Sequence, residues 1–186
     1  LSVVTIPFQS EKKAKDSKAP FISIPKGSLL AVAFITFFAS LGEGAVADWS
    51  AIFLISVLSI NDGSAALGYT AFSICMFAMR LMGDRVSFKF GPSKTARYSG
   101  LVALIGSIIL LTFESLFPLL IGFSLIGLGI AVIIPLAFSR AGNDKNISQG
   151  VAIASIATLG YGGMLLGPLI VGFIAEFTSI KTSFFI

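Results

Sequence analysis

Five runs of apolar residues dominate the sequence, and each is about as long as a lipid bilayer is thick. They cover approximately residues 28–58, 65–82, 97–113, 117–138 and 149–174. A helix needs about 20 apolar residues to cross the ~30 Å hydrocarbon core. Only helices and closed barrels satisfy their backbone inside lipid, and these runs lack the alternation of barrel strands. The pattern predicts an all-α, polytopic membrane helix bundle.

Composition agrees with a membrane protein and narrows its chemistry. The chain is 55% hydrophobic and 12% charged, whereas soluble domains are about a quarter charged. It has no histidine, and Cys75 is its single cysteine, so we expect no disulfide, no cysteine-based metal site and no histidine proton shuttle. No acid cluster or phosphate-binding glycine motif stands out. We therefore expect no cofactor, no nucleic-acid partner and no enzyme activity, with the lipid bilayer as the surrounding solvent.

Basic residues alternate between the connections that join the apolar runs. Residues 9–27 and 80–97 hold five Lys or Arg each and 139–148 hold two, which makes twelve of the thirteen in the chain. The two connections between these segments hold none. Because cytoplasmic loops of membrane proteins carry an excess of Lys and Arg, the sequence predicts that 9–27, 83–97 and 139–148 are cytoplasmic.

The most highly charged connection covers residues 80–94 and contains Gly83, Asp84, Arg85 and Gly91. It resembles the cytoplasmic signature of the major facilitator superfamily (MFS), roughly Gly-x-x-x-Asp-Arg-x-Gly-Arg-Arg. Gly83 directly precedes Asp84 here, so the run is similar to the more degenerate second copy of the signature, between helices eight and nine. Residues 42–50 resemble a bacterial branch of the family that includes the membrane protein MosC.

The resemblance implies an organisation for the whole chain. Residues 1–8 would end helix six, 9–27 would form the cytoplasmic central loop, and 28–186 would be the C-terminal half, helices seven to twelve with the last one incomplete. The implied function is secondary active transport of a small solute by alternating access, coupled to an ion or a proton, in a bacterial inner membrane. An N-terminal six-helix half would be its partner. A membrane scaffold or sensor on a transporter fold is the alternative.

Two acids lie deep inside the first complete run. Glu43 is about 22 Å along a helix that starts at Ser28, and Asp48 about 30 Å along, near the outer boundary. A charge at the bilayer centre costs roughly 2.5–3.5 kcal/mol on insertion scales, so it faces a cavity or a partner. Glu43 is expected to titrate during transport or to pair with a substrate cation. Alternatively, Glu43 pairs structurally with a polar group of the other half. A third possibility is that the helix breaks at Gly42 and Gly44, which leaves the Glu43 side chain hydrated.

Two aromatic residues are further pathway candidates. Trp49 could stack on a substrate, although a tryptophan near a membrane boundary is more commonly an interfacial anchor. Tyr161 lies mid-span between glycines that would allow close helix packing. Its hydroxyl needs a polar partner there, which favours a position on a cavity.

The signature residues are candidates for a cytoplasmic gate, as the resemblance implies. Asp84 would close the cytoplasmic side by contacting a helix of the other half, where a helix N-terminus favours negative charge. Arg80, four residues earlier, could pair with Asp84 on one helix face. The gate would also include Gly83, Arg85 and Gly91. Alternatively, the basic residues only fix the topology.

A last group of residues is expected to bend helices or pack them closely. Glycine permits close helix approach, and proline removes a backbone donor. The group consists of Gly127, Gly129, Pro135, Gly167 and Pro168. Helices with such residues rock against one another in transporters of this kind, although static packing explains them equally well.

Overall fold

The computed structural model describes residues 27–144 and 147–184, which fold as helices joined by short turns. The helices are α1 (Ser28–Leu58), α2 (Asp62–Ala65), α3 (Leu67–Phe90), α4 (Pro92–Thr112), α5 (Leu116–Ile130), α6 (Ile133–Gly142), α7 (Gln149–Phe177) and α8 (Ile180–Ser183). Five segments are long and apolar enough to cross a membrane: α1, α2 with α3, α4, α5 with α6, and α7. These spans confirm the all-α polytopic bundle.

The predicted sixth span is not seen among the described residues, and the N-terminal assignments lie outside them. Among the described residues, α8 is a short helix that follows α7, so six full spans are not seen. The assignments of 1–8 to the end of helix six and of 9–26 to a central loop lie outside the described residues. So does Lys145, one of the two basic residues in the connection 139–148.

The prediction that residues 83–97 form a loop is wrong. Helix α3 continues to Phe90 and α4 begins at Pro92, so Gly91 alone separates them. Nothing between Met82 and Phe90 breaks a helix, whereas Gly91 has φ +84° and ψ 149°, a conformation that glycine adopts without a steric penalty. Proline then occupies the first helical position of α4, where its missing N–H costs nothing. The charged run is therefore a sharp corner between two long helices.

The fourth span is interrupted near its centre. Helix α5 ends at Ile130 and α6 begins at Ile133, with Ala131 and Val132 in a turn. Pro135 cannot donate a hydrogen bond to the carbonyl of Ala131, four residues earlier. The helix ladder therefore loses a bond at this point, which accounts for the interruption.

Two clusters of buried side chains hold the bundle together, one toward each end. The first cluster lies around Phe53, Phe72 and Phe123 and joins α1, α3 and α5. The second consists mostly of small residues, such as Ala33 of α1, and it also includes Ile156 of α7. The stretch of α1 between the clusters carries polar residues, and these line a cleft.

Candidate functional site

Polar side chains from three helices meet in an open cleft of about 370 Å³, and a fourth helix, α6, adds apolar side chains. Helix α1 contributes Thr36, Ser40 and Glu43, α3 contributes Arg80, and α7 contributes Tyr161. The three residues of α1 are spaced four and three apart, so they lie on one helix face. Apolar side chains complete the wall: Ile134, Pro135, Phe138, Ile156, Ala157 and Met164.

An ion pair between Glu43 and Arg80 crosses this cleft. Nη2 of Arg80 donates to both carboxylate oxygens of Glu43, at 3.2 Å to Oε1 and 3.3 Å to Oε2. The Arg80 side chain is 44% exposed and that of Glu43 is 18% exposed. The guanidinium is therefore the more accessible of the two charged groups.

The polar residues lie at similar distances along their helices. Counted at ~1.5 Å per residue from the helix ends assigned to the cytoplasm, Glu43 lies about 22 Å in, Arg80 about 15 Å and Tyr161 about 18 Å. The middle of a ~30 Å hydrocarbon core falls at this depth. A charged pair there must face a polar or water-filled path rather than lipid tails.

The environment of Arg80 corrects two expectations from the sequence. Arg80 lies inside helix α3, ten residues before its end, rather than in a cytoplasmic loop. It pairs with Glu43 across the bundle rather than with Asp84 on its own helix. One of the basic residues counted toward the topology therefore belongs to the cleft, and the remaining ones still alternate.

Helix α1 runs unbroken past Glu43, contrary to one of the alternatives drawn from the sequence. It continues from Ser28 to Leu58 through Gly42 and Gly44. Gly44 instead allows α7 to approach, because a Cβ there would overlap the carbonyl of Met164. That carbonyl lacks its usual intrahelical donor, since residue 168 is a proline.

Of the other predicted pathway residues, Tyr161 lies at the cleft, Trp49 packs between two helices and Asp48 does neither. Tyr161 lines the cleft and is 70% exposed. Asp48 is exposed on α1 and is not among the lining residues. Trp49 donates from Nε1 to the carbonyl of Pro168 at 3.0 Å, and its ring covers Gly172 of α7. Trp49 thus joins α1 to α7.

A second cavity, of about 450 Å³, adjoins the cleft on the side of the corner at Gly91. Four predicted gate residues line it: Arg80, Gly83, Asp84 and Gly91. Arg80 and Pro135 border both cavities. The two cavities therefore lie next to each other along α3 and α6.

The two signature residues beside Asp84 differ in their surroundings. Gly83 is buried, and a Cβ there would come within 2.8 Å of Cγ1 of Val132, so glycine lets α3 cross α6 closely. Arg85 is exposed and lines neither cavity.

Glycines form the contact between α1 and α7, which we call the glycine seam: Gly44, Gly160, Gly163, Gly167 and Gly172. A Cβ at Gly163 would overlap the carbonyl of Phe37, and one at Gly167 would overlap that of Leu41. Glycines also serve α5, since Gly127 lies against the carbonyl of Phe72 and Gly129 against the backbone of Ser99 and Ala103. Small residues let backbones touch in lipid, where helices gain little from hydrophobic burial.

Sequence reasoning missed three residues of the cleft, although two left a signal. Thr36 and Ser40 share a helix face with Glu43, a polar stripe on an apolar helix. Arg80 was assigned to the loop because its charge appeared to end the apolar run. Among the described residues, no group of three His, Cys, Asp or Glu side chains could hold a metal ion.

Comparison with known proteins gives relatives but no template. No protein-family model matches the chain, and no solved structure matches it. It is 40% identical over 179 residues to a protein of Sinorhizobium fredii named as an uncharacterized transporter, covering 96% of this chain and 48% of that protein. It is 37% identical over 165 residues to an uncharacterized MFS-type transporter of Yersinia pestis, covering 89% and 43%.

The third relative carries the name expected from residues 42–50. The chain is 38% identical over 148 residues to the membrane protein MosC of Rhizobium meliloti, covering 80% of this chain and 36% of that protein. The chain spans about half the length of the first relatives it matches, or somewhat less. A six-helix half would give such a share. Five apolar spans, the polar mid-span cleft and these identities together show that the chain belongs to the MFS-type membrane proteins.

Proposed function

We propose that the chain forms the C-terminal half of a secondary active transporter, which moves a small solute by alternating access and is coupled to an ion or a proton. One observation carries the proposal: the Glu43–Arg80 pair lies mid-span and faces an open cleft. A structural pair would be covered by apolar side chains, whereas this one borders open space together with Tyr161. The relatives' names support transport in general.

A second six-helix half would close the open side of the cleft. The relatives are about twice as long as the stretch that matches them. Transporters of this organisation bind substrate near the bilayer midplane, between two repeats. A bacterial inner membrane is the proposed location.

The experiment uses the complete transporter in which the chain is proposed to lie, reconstituted in proteoliposomes. Uptake of a panel of labelled solutes is measured under imposed proton and sodium gradients. We expect accumulation of at least one solute and its collapse when the gradient is dissipated. Glu43→Gln should abolish gradient-driven accumulation, while Arg97→Gln, an exposed arginine on α4, should not. Absence of flux for the whole panel would instead favour a scaffold or sensor.

The second cavity is proposed to lie on the cytoplasmic side and to be part of the gate. Asp84 is exposed there, at the end of α3 that meets the corner at Gly91. If Asp84 holds the cytoplasmic side closed, Asp84→Asn should increase the rate at which a cysteine at Ser40 is alkylated from that side. The matched control is Asp62→Asn, at the opposite end of the same span. Equal alkylation rates in the two variants would contradict the gate and would mean that the basic residues of this segment only fix the topology.

A further inference from the structure

The geometry points to a substrate class, and this inference rests on the proposed transport function. We infer that the cleft binds a small monocarboxylate through the guanidinium of Arg80, and that each anion crosses together with one proton carried by Glu43. In the unloaded state the two side chains neutralise each other, at 3.2 Å. The substrate carboxylate competes with Glu43 for Arg80, and a proton then replaces Arg80 as the partner of Glu43.

Arg80 has unused capacity to bind an anion. Within the described residues, its hydrogen bonds to Glu43 both come from Nη2, although a guanidinium has five N–H donors on three nitrogens. Its side chain is also the more exposed of the pair. The planar donor fork matches a carboxylate in a bidentate arrangement.

The remaining wall of the cleft suits the rest of such a molecule. Ile134, Phe138 and Met164 offer apolar contact to a short carbon skeleton. The exposed hydroxyl of Tyr161 provides a hydrogen-bonding group at the same depth. A cavity of about 370 Å³ is at the small end for ligand sites, which span roughly 300–1,000 Å³.

Charge balance decides between an anion and a cation. Among the residues that the structure describes, the charged side chains lining the cleft are Glu43 from α1 and Arg80 from α3, while α7 adds Tyr161 and α6 adds no titratable side chain. A cation bound to Glu43 would strand Arg80, which cannot give up its proton in a protein. An anion bound to Arg80 strands Glu43, and a carboxylate can take up a proton. Of the two ions, only the anion, taken up together with a proton, leaves this pair neutral, which matters because an uncompensated charge at this depth is costly.

The same balance fixes the stoichiometry. One monoanion plus one proton adds no net charge to the pair, so the loaded and unloaded clefts are both neutral. A dianion would leave one negative charge without a partner. On release of the anion, Glu43 gives up its proton and pairs again with Arg80. The expected reaction is electroneutral co-transport of one proton with each monocarboxylate.

Binding is tested on the complete transporter with solutes that share a carbon skeleton. The probes are lactate, isovalerate and phenylacetate, each beside its primary amide and the corresponding amine, and the readout is the shift in melting temperature. We expect at least one carboxylate to stabilise the protein and its amide and amine not to do so. Stabilisation by amides or amines alone, or by none of the carboxylates, would overturn the inference.

Two variants test whether the substrate carboxylate competes with Glu43 for Arg80 or whether Glu43 and Arg80 form only a structural pair. Arg80→Gln should weaken binding of the stabilising carboxylate by about tenfold or more, since it removes the charge-assisted hydrogen bonds to the anion. Glu43→Gln should instead strengthen it several-fold, because the competing carboxylate is gone. Arg97→Gln is the control with unchanged affinity. A loss of affinity in Glu43→Gln would contradict the competition between the two carboxylates.

Proton coupling has its own readout. Uptake of the stabilising carboxylate should alkalinise the external medium by one proton per anion and should not respond to an imposed membrane potential. Glu43→Gln should carry the anion without proton movement and respond to the potential. Flux of an uncharged solute without protons would overturn the inference and leave transport standing. Carboxylate binding without flux of any probe would overturn the transport function and, with it, the co-transport.

Discussion

Helix α1 meets its neighbours in two contrasting ways. Toward α7 its backbone touches another backbone, since Gly163 and Gly167 lie directly on carbonyls of Phe37 and Leu41. Toward α3 it faces an open cleft, bridged by the ion pair of Glu43 with Arg80. Backbone contacts cannot adjust without moving a whole helix, whereas an ion pair opens by rotating two side chains. We therefore expect α1 and α7 to move as one unit and any rearrangement to occur at the cleft.

The largest expected effect tests the rigid side. Gly163→Ala should lower stability by about 3 kcal/mol, at the upper end for overpacked sites, because its Cβ would overlap the Phe37 backbone. Gly162→Ala is the matched control, since a Cβ there has no atom within 4 Å. Thermal unfolding of the complete transporter in detergent measures both. Similar melting temperatures for the two variants would show that the seam is not tightly packed.

The next effect tests the adjustable side. Arg80→Gln should cost roughly 1–2 kcal/mol, because it leaves the carboxylate of Glu43 without its charged partner. Adding Glu43→Gln should recover most of that loss, since replacing both members of a pair leaves no stranded charge. The same melting assay provides the measurement. A double variant as unstable as the single one would make the pair a structural element like the seam.

A smaller effect concerns the hydrogen bond that closes the seam. Trp49→Phe removes the bond from Nε1 to the carbonyl of Pro168. Hydrogen bonds between membrane helices contribute about 0.6 kcal/mol on average and up to about 1.7, so we expect a loss of about 1 kcal/mol. Tyr161→Phe, which removes an exposed hydroxyl, is the control for stability and should change it little. A larger loss of stability in Tyr161→Phe than in Trp49→Phe would show that the Tyr161 hydroxyl stabilises the bundle more than the Trp49 hydrogen bond does.

The smallest effect lies outside both regions, at the ends of the helices. Lys181 donates to Glu114 at 2.6 Å, and this hydrogen bond, followed by the charge of Lys181, lowers the pKa of Glu114. A lowered pKa adds stability above the ordinary glutamate range, and that stability is lost as the pH falls through the lowered value. Glu114 is exposed to solvent and Lys181 is partly exposed, so the contribution is small.

Melting temperatures measured from about pH 6 to about pH 3 test this contact, because the range spans the ordinary pKa of glutamate. The wild type should lose slightly more stability on acidification than Lys181→Gln, in which the pKa of Glu114 returns to its usual range. Glu176→Gln, near the end of α7, is the control. Identical acid profiles of the wild type and Lys181→Gln would show that the contact adds nothing.

The sequence marked Glu43 and Tyr161 as pathway candidates but could not show that they lie close together. Both stood out because a polar group inside an apolar run needs a reason. That they share one cleft with Arg80 depends on how α1, α3 and α7 are rotated about their axes, and the apolar runs set no rotation, since lipid-facing and buried positions are equally apolar. The glycines that fix the rotation also occur at positions without close contacts, such as Gly42 and Gly162.

The sequence by itself determined the number and apolar character of the spans, the alternation of charge and the family, because crossing a bilayer demands length and apolarity that composition reveals. The tertiary structure decided the partner of Arg80, the role of Trp49 and the corner at Gly91. A charge that ends an apolar run and a charge that faces a polar cleft look alike in sequence. Only the packing of four helices distinguishes them, because it places an acid within 3.2 Å of Arg80.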